Sequence, residues 1–199
     1  VTLAARGLLV EEARTNLFPR SSEFDNAAWG KADTTVTANA TTSPDGTANA
    51  DKLVEAATTA DHYISATGLT FAASTTLCVS YFLKSAERTS GQVRLTNSNG
   101  TFGIVAVNFN LATGTVGSAV VVGTATASAV GITNYGNGFY RVWVSGTLAN
   151  DVTIGGGQVF LTTSFGGATS YAGNGTSGFY MWGAQLEAGS FPTSYIPTT

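Results

Sequence analysis

The sequence predicts an all-β fold, two antiparallel sheets packed as a sandwich, and three observations predict it. Apolar and polar residues alternate with a period of two along much of the chain, the spacing that sends every second side chain of a strand to one face. The runs are punctuated by Asp45-Gly46, Asn99-Gly100, Asn137-Gly138 and Asn174-Gly175, dipeptides that tolerate the positive φ of tight turns and so join antiparallel neighbours. No segment carries a helical period over three turns, which argues against α/β and α+β architectures. The 199 residues suit a single domain, since sandwiches and barrels reach ~200–250 residues as one unit.

In chain order, strands are expected near Leu8–Glu11, Thr34–Ala38, Ala50–Val54, Tyr63–Thr67, Thr76–Lys84, Gln92–Thr96, Ile104–Phe109, Ala119–Val122, Ser128–Asn134, Phe139–Thr147, Gln158–Thr163 and Phe179–Leu186. Only Val54–Asp61 has the composition for a helical turn. Gly155-Gly156-Gly157 and Gly166-Gly167 read as loops. A Gly-rich loop cradles phosphate where a helix follows it, and strands follow these.

Apolar residues make up 43% of the chain and charged residues 11%, less than half the ~25% usual for soluble domains. Thr, Ser, Asn and Gly must therefore coat the surface, as on secreted and virion proteins, so an extracellular or virion-surface location is expected. With a net charge of −3 and nine Lys and Arg scattered singly, no basic stripe is available to neutralise phosphates, and nucleic acid is not an expected partner. No apolar run approaches the ~20 residues of a membrane helix, so membrane insertion is not expected. Cys78 stands alone within Leu77–Leu83 and reads as a small buried hydrophobe. Because the first residue is Val1, either processing has removed a leader or, as the leading expectation, the domain is cut from a longer polypeptide.

Catalytic chemistry needs a nucleophile beside a base, paired carboxylates, or a metal held by His and Cys. The chain has one His and one Cys. His62 follows Asp61 and precedes Ser65 by three residues, a spacing that sends the two side chains to opposite faces of a strand. Glu11 and Glu12 diverge in the same way if extended, and the remaining acids fall mostly in turns or at strand ends. An enzyme is not expected.

Binding chemistry is better represented. A sugar offers apolar CH faces rimmed by hydroxyls, so its site pairs flat rings with amides, carboxylates or guanidinium groups. In Phe139–Thr147 alternation puts Tyr140, Val142 and Val144 on one face and Phe139, Arg141, Trp143 and Ser145 on the other. The first set reads as core and the second as a binding face. Phe82 and Lys84 alternate likewise in Thr76–Lys84, and Arg94 interrupts Val93 and Leu95. If these strands share a sheet, Phe82, Lys84, Arg94, Arg141 and Trp143 line one outer surface. Two loops add Tyr171 with Asn174, and Trp29, as candidate ligand contacts, while Trp182, alternating with Tyr180, Ala184 and Leu186, reads as buried.

The ends of the chain carry distinctive motifs. At one end stand Gly7-Leu8-Leu9-Val10-Glu11-Glu12-Ala13-Arg14-Thr15-Asn16-Leu17, Phe24, Ala28-Trp29, Ser43-Pro44-Asp45-Gly46-Thr47 and Ala50-Asp51-Lys52-Leu53. At the other stand Gly136-Asn137-Gly138-Phe139-Tyr140-Arg141-Val142, Gly178-Phe179-Tyr180-Met181-Trp182-Gly183-Ala184-Gln185-Leu186-Glu187 and Pro192-Thr193-Ser194-Tyr195-Ile196-Pro197-Thr198. Together they resemble a recurrent domain of bacteriophage tail-fibre, head-fibre and head-spike proteins related to jelly-roll, concanavalin-like carbohydrate-binding modules. The middle, about Ala56–Thr133, matches in strand pattern alone.

The resemblance implies a jelly roll that attaches a virion, or an appended enzyme, to a polysaccharide or cell-surface glycan. Fibre proteins of this kind are often trimeric, so it also allows a homo-oligomer in the parent fibre. Some related modules hold a structural calcium between the chain ends, where Glu12 and Glu187 are the nearest acids. Calcium takes about six to eight oxygen ligands, no acidic cluster supplies them, and no metal or other cofactor is predicted. The leading expectation is a non-catalytic carbohydrate-binding module. The alternative is a structural virion spacer or decoration domain whose exposed rings serve subunit contacts.

Overall fold

Alternation of the kind seen in Val142-Trp143-Val144 gives a strand one apolar face, and two such sheets bury their apolar faces against each other. A computed structural model of the chain describes residues 11–66, 68–72, 74–97, 103–148, 152–154 and 156–199. It is an antiparallel β-sandwich without helices among the described residues. The first sheet runs β1 (Trp29–Ala32), β5 (Tyr63–Ala66), β15 (Gly156–Thr162), β8 (Ser90–Asn97), β9 (Gly103–Asn110) and β10 (Thr115–Val116), with β11 (Val120–Gly123) also paired to β9. The second runs β12 (Thr126–Gly136), β13 (Phe139–Thr147), β7 (Thr76–Ser85), β17 (Gly178–Ala188), β3 (Ala50–Glu55) and β2 (Thr34–Thr41). Two ribbons pair β4 (Thr59–Asp61) with β16 (Ser170–Ala172), and β6 (Leu69–Phe71) with β14 (Val152–Ile154).

Every expected strand from Thr34 onward is present. Leu8–Glu11 lies, but for Glu11, outside the described residues, as do Thr67, Asn99-Gly100 and Gly155. The strands with no expectation behind them, β1, β4, β6, β10, β14 and β16, have two to four residues, too few for a two-residue period to register. The 54–61 stretch holds no helical turn: it ends β3 and supplies β4. Gly156 and Gly157 are strand rather than loop, because a Cβ on Gly157 would meet Phe18, Tyr81 and Val79 within 2.6 Å. Only glycine lets those side chains close over β15. Asn137-Gly138, both at positive φ, form the two-residue turn between β12 and β13, with Gly136 paired to Phe139.

The core between the sheets takes Val79, Leu83, Val142 and Val144 from one and Val93, Leu95, Val107 and Val159 from the other. Phe18, Phe24 and Trp29 close one end, with ring centroids 4.9–5.2 Å from Trp29.

The outer face of the second sheet is also covered, by the two ends of the chain. Asn16 donates to the carbonyls of Ala184 and Ile196 (2.9 and 2.8 Å) and accepts from the N–H groups of Phe18 and Leu186 (both 3.1 Å). Gln185 accepts from Ile196 N–H at 2.8 Å and donates to Glu187 at 2.7 Å, while Glu187 accepts from the N–H and hydroxyl of Thr193 at 2.9 and 2.6 Å. Ser21 and Tyr195 join hydroxyls at 2.7 Å.

These contacts need Gln185 and Glu187 on the outer face while Leu186 stays in the core, and Gly183 arranges it. With φ of +57° it sits in the irregularity where β17 slips against β7 between Trp182 and Gln185. Met181 before it and Ala184 after it both join the core, so the parity of the strand flips. Trp182 therefore shares the outer face with Tyr180, whereas Ala184 and Leu186 face inward, correcting the simple alternation expected for this strand. An L-residue at this φ costs about 1–2 kcal/mol, and a Cβ would lie 2.8 Å from Phe82 Cδ2. Gly183→Ala is thus expected to lower the unfolding free energy by roughly 2 kcal/mol, read as a lower urea midpoint at unchanged slope.

Candidate functional site

The register puts Trp182, Phe82, Arg141 and Thr133 in one row across the outer face of the second sheet, and Gln185, Ser80, Trp143 and Gly131 in the next. Sequence alternation thus gathers Phe82, Lys84, Arg141 and Trp143 on one face as expected. Arg94 does not join them: it lies on β8 in the first sheet, its guanidinium 3.8 Å from the Phe160 ring centroid and its Nε donating to Gln92. Adjacent strands in sequence, β7 and β8, belong to opposite sheets, which alternation alone does not report.

Several other candidates are spent on the fold. Arg141 is 3% exposed beneath the C-terminal segment, donating to Ser80 Oγ twice (3.1 and 3.0 Å) and to the Thr193 carbonyl. Trp29 is 1% exposed and donates its indole N–H to the Arg20 carbonyl at 3.0 Å, so it is core and not a ligand contact. Tyr171 donates its hydroxyl to Glu55 at 2.7 Å, and Asn174 folds its own turn by accepting from Thr176 and Ser177 and donating to Ser177 Oγ. Burial first, then the bond to Glu55, pushes the Tyr171 phenol up. Lys84 and Trp143 stay half-buried on the face, the Lys84 amine 5.6 Å from the Phe139 ring centroid and the Trp143 indole lying over Gly131, which has no Cβ to displace it.

His62 is fully buried, its ring nitrogens 2.7 and 3.2 Å from the carbonyl oxygens of Asp33 and Tyr171. It latches the corner between β1 and β2 to β16. Near the chain ends, Arg14 bridges the two acids the resemblance offers to calcium: its Nη2 is 2.8 Å from Glu12 and its Nη1 3.6 Å from Glu187. A guanidinium occupies the ground between them, and no group of three or more metal-ligating side chains occurs among the described residues.

A hollow of about 350 Å³ by the chain ends is lined by Glu12, Ala13, Arg14, Thr15, Leu17 and Ala188 and carries no aromatic ring; the outer face of the second sheet holds another. This second hollow, of about 220 Å³, is lined by Pro44, Asp45, Phe82, Tyr135, Trp182, Ser194 and Tyr195. Its rings form a connected set: Phe82 lies 4.7 Å from Tyr135, 5.2 Å from Trp182 and 5.9 Å from Tyr195, and Trp182 lies 4.5 Å from Tyr195. Most of these contacts are edge-on or tilted, as the quadrupoles of aromatic rings favour. Tyr135 is 47% exposed, carried there by the irregularity between Asn134 and Gly136 in β12.

Polar groups rim the hollow. Asp45 Oδ1 accepts from Ser43 Oγ and from the N–H and hydroxyl of Thr47 (2.6–2.8 Å), whereas among the described residues Oδ2 receives only a 3.4 Å contact from Asn49. Among the described residues, Trp182 Nε1 is buried and finds no hydrogen-bond partner. An unpaired buried donor costs about 1–3 kcal/mol.

Of the sequence candidates only Phe82 belongs to this hollow. Asp45, Tyr135 and Tyr195 escaped notice, although Asp45 in Ser43–Thr47 and Tyr195 in Pro192–Thr198 lie in the quoted motifs, while Trp182, read as buried, is 6% exposed and lines the hollow from beneath. No protein-family model and no curated protein matches the chain.

Proposed function

We propose that this chain is a non-catalytic carbohydrate-binding module and that the ring-lined hollow between Asp45, Tyr135, Trp182 and Tyr195 receives a sugar residue of a polysaccharide or cell-surface glycan. The observation that carries the reading is the pairing, in one hollow of about 220 Å³, of four aromatic side chains with an open carboxylate oxygen. Rings take the CH face of a sugar; the carboxylate meets hydroxyls at its rim. A jelly-roll path and a parent phage fibre, head spike or appended enzyme, at the virion surface or outside the cell, belong to the same proposal. Affinity at a single shallow site is modest, and several copies on one particle raise it by avidity.

Glycan-array screening of the 199-residue chain tests the reading, with Tyr135→Ala as the paired variant because an exposed ring can be removed without opening the core. Binding to a polysaccharide, weakened about three- to tenfold by the variant, supports it. Absence of any glycan ligand, or equal binding by the variant, counts against it.

The alternative, a structural virion spacer, is favoured by Val120, Val121, Val122 and Phe165, which are 39–46% exposed. Apolar edge strands invite pairing with another chain. Sedimentation that finds a stable oligomer dispersed by Val121→Lys, with no glycan ligand, favours that reading.

A further inference from the structure

We propose that the hollow selects a sugar bearing a protonated amine, a 2-amino-2-deoxyhexose, over its N-acetylated, neutral or acidic counterparts. The inference rests on the carbohydrate-binding reading and adds the ligand's charge. Among the residues lining the hollow, only Asp45 is charged at neutral pH. Its exposed side chain keeps one oxygen almost unengaged, as the 3.4 Å contact to Asn49 is long for a hydrogen bond.

The Asp45 carboxylate is also held charged. Burial alone would raise its pKa, but the donors Ser43, Thr47 and Asn49 outweigh that and keep it below its ordinary value. Arg141, its guanidinium carbon 5.1 Å from the Phe82 ring centroid, is 3% exposed and donates to Ser80 and Thr193, neutral groups that leave its charge in place, but it forms no ion pair with Asp45.

Ring faces attract a cation through their quadrupoles, so the rings and Asp45 reinforce each other. An acidic sugar is repelled by Asp45 without gaining a basic partner in the hollow.

The test is a titration of the 199-residue chain with a glucosamine tetramer, an N-acetylglucosamine tetramer and a cellulose tetramer, followed by tryptophan fluorescence at about pH 6, where the amine is protonated. The glucosamine tetramer is expected to bind about fivefold tighter than either neutral oligomer, the upper end for an exposed ion pair. That ratio should fall to about one in 1 M salt, where the screening length shrinks to about 3 Å, and also in Asp45→Asn. The salt arm uses the unaltered protein, so it decides even if the variant fails to fold. Equal or tighter binding of a neutral oligomer overturns the amine selectivity and leaves carbohydrate binding standing. If neither these oligomers nor any array glycan binds, the selectivity and the reading beneath it both fall.

Discussion

Asn16→Ala is expected to lower the unfolding free energy by about 4 kcal/mol, because it removes four hydrogen bonds in a buried place, each worth about 0.5–1.5 kcal/mol net. Asn16 is 5% exposed, and its amide meets two carbonyls and two N–H groups from three segments: its own neighbour Phe18, Ala184 and Leu186 of β17, and Ile196 of the C-terminal segment. The backbone groups left behind face protein rather than solvent, so the loss exceeds that of a surface amide. Against the ~5–15 kcal/mol that holds a domain folded, this is a large share. Urea unfolding followed by circular dichroism measures it. Asn16→Asp keeps the acceptor for Phe18 and Leu186 but turns a buried carboxylate oxygen onto the carbonyls of Ala184 and Ile196, so at neutral pH it should lose at least as much as alanine. A change within about 0.5 kcal/mol of wild type would mean that the chain ends are not clasped through Asn16.

Glu55→Ala is expected to cost about 3 kcal/mol at neutral pH, toward the low end for removing one partner of a buried ion pair, since the Arg88 side chain keeps 19% exposure and can partly rehydrate. Glu55 accepts from Arg88 twice (2.8 and 2.6 Å), from the Tyr171 hydroxyl at 2.7 Å and from Asn174 N–H at 3.0 Å. One carboxylate thereby ties the 171–177 turn to β3. Burial by itself would raise its pKa, but these donors outweigh burial and hold it below the ordinary value. The unfolded chain therefore protonates Glu55 first. Its stabilisation is complete above the unfolded pKa of ~4.3 and disappears as pH falls through the lower folded value. The gap in urea midpoint between wild type and Glu55→Ala should be widest near neutrality and shrink on acidification below that range. A gap that stays constant with pH would show that the loss is one of packing and not of charge.

The first of these predictions recasts the terminal motifs. Asn16, Gln185, Glu187 and Thr193 stand within the stretches that carry the phage-domain resemblance, and their hydrogen bonds stitch the chain ends over the second sheet. Cys78 illustrates the consequence. It is 1% exposed not because it faces the core but because it lies under that cover, on the row of Glu187. Burial, reinforced by the Glu187 charge, pushes its thiol up to about 12, so it is an inert thiol at neutral pH.

The strands were legible because each has its own local record: alternating residues in Phe139–Thr147, a positive-φ turn at Asn137-Gly138, an apolar run through Leu77–Leu83. The face shared by Phe82, Lys84, Arg141 and Trp143 was legible for the same reason, since β7 and β13 pair in the register alternation implies. The short strands were not, and neither was the partition of β7 and β8 between sheets. Each depends on pairing across tens of residues.

The candidate site was less legible still. A ring announces itself in a sequence, but its exposure does not: Trp29 is core, Tyr135 is open to solvent, and Trp182 lines the hollow with an unpartnered indole. The sequence by itself determined the sandwich, its turns and which side chains share a strand face, because those follow from a two-residue period and local backbone preference. Only the tertiary structure decided that the chain ends cover the outer face of the second sheet, that Gly183 flips the parity of β17, and that Asp45, Phe82, Tyr135, Trp182 and Tyr195 surround one hollow. Those outcomes rest on hydrogen bonds and ring contacts between residues as far apart as Asn16 and Ile196, and no local window of the chain contains both partners.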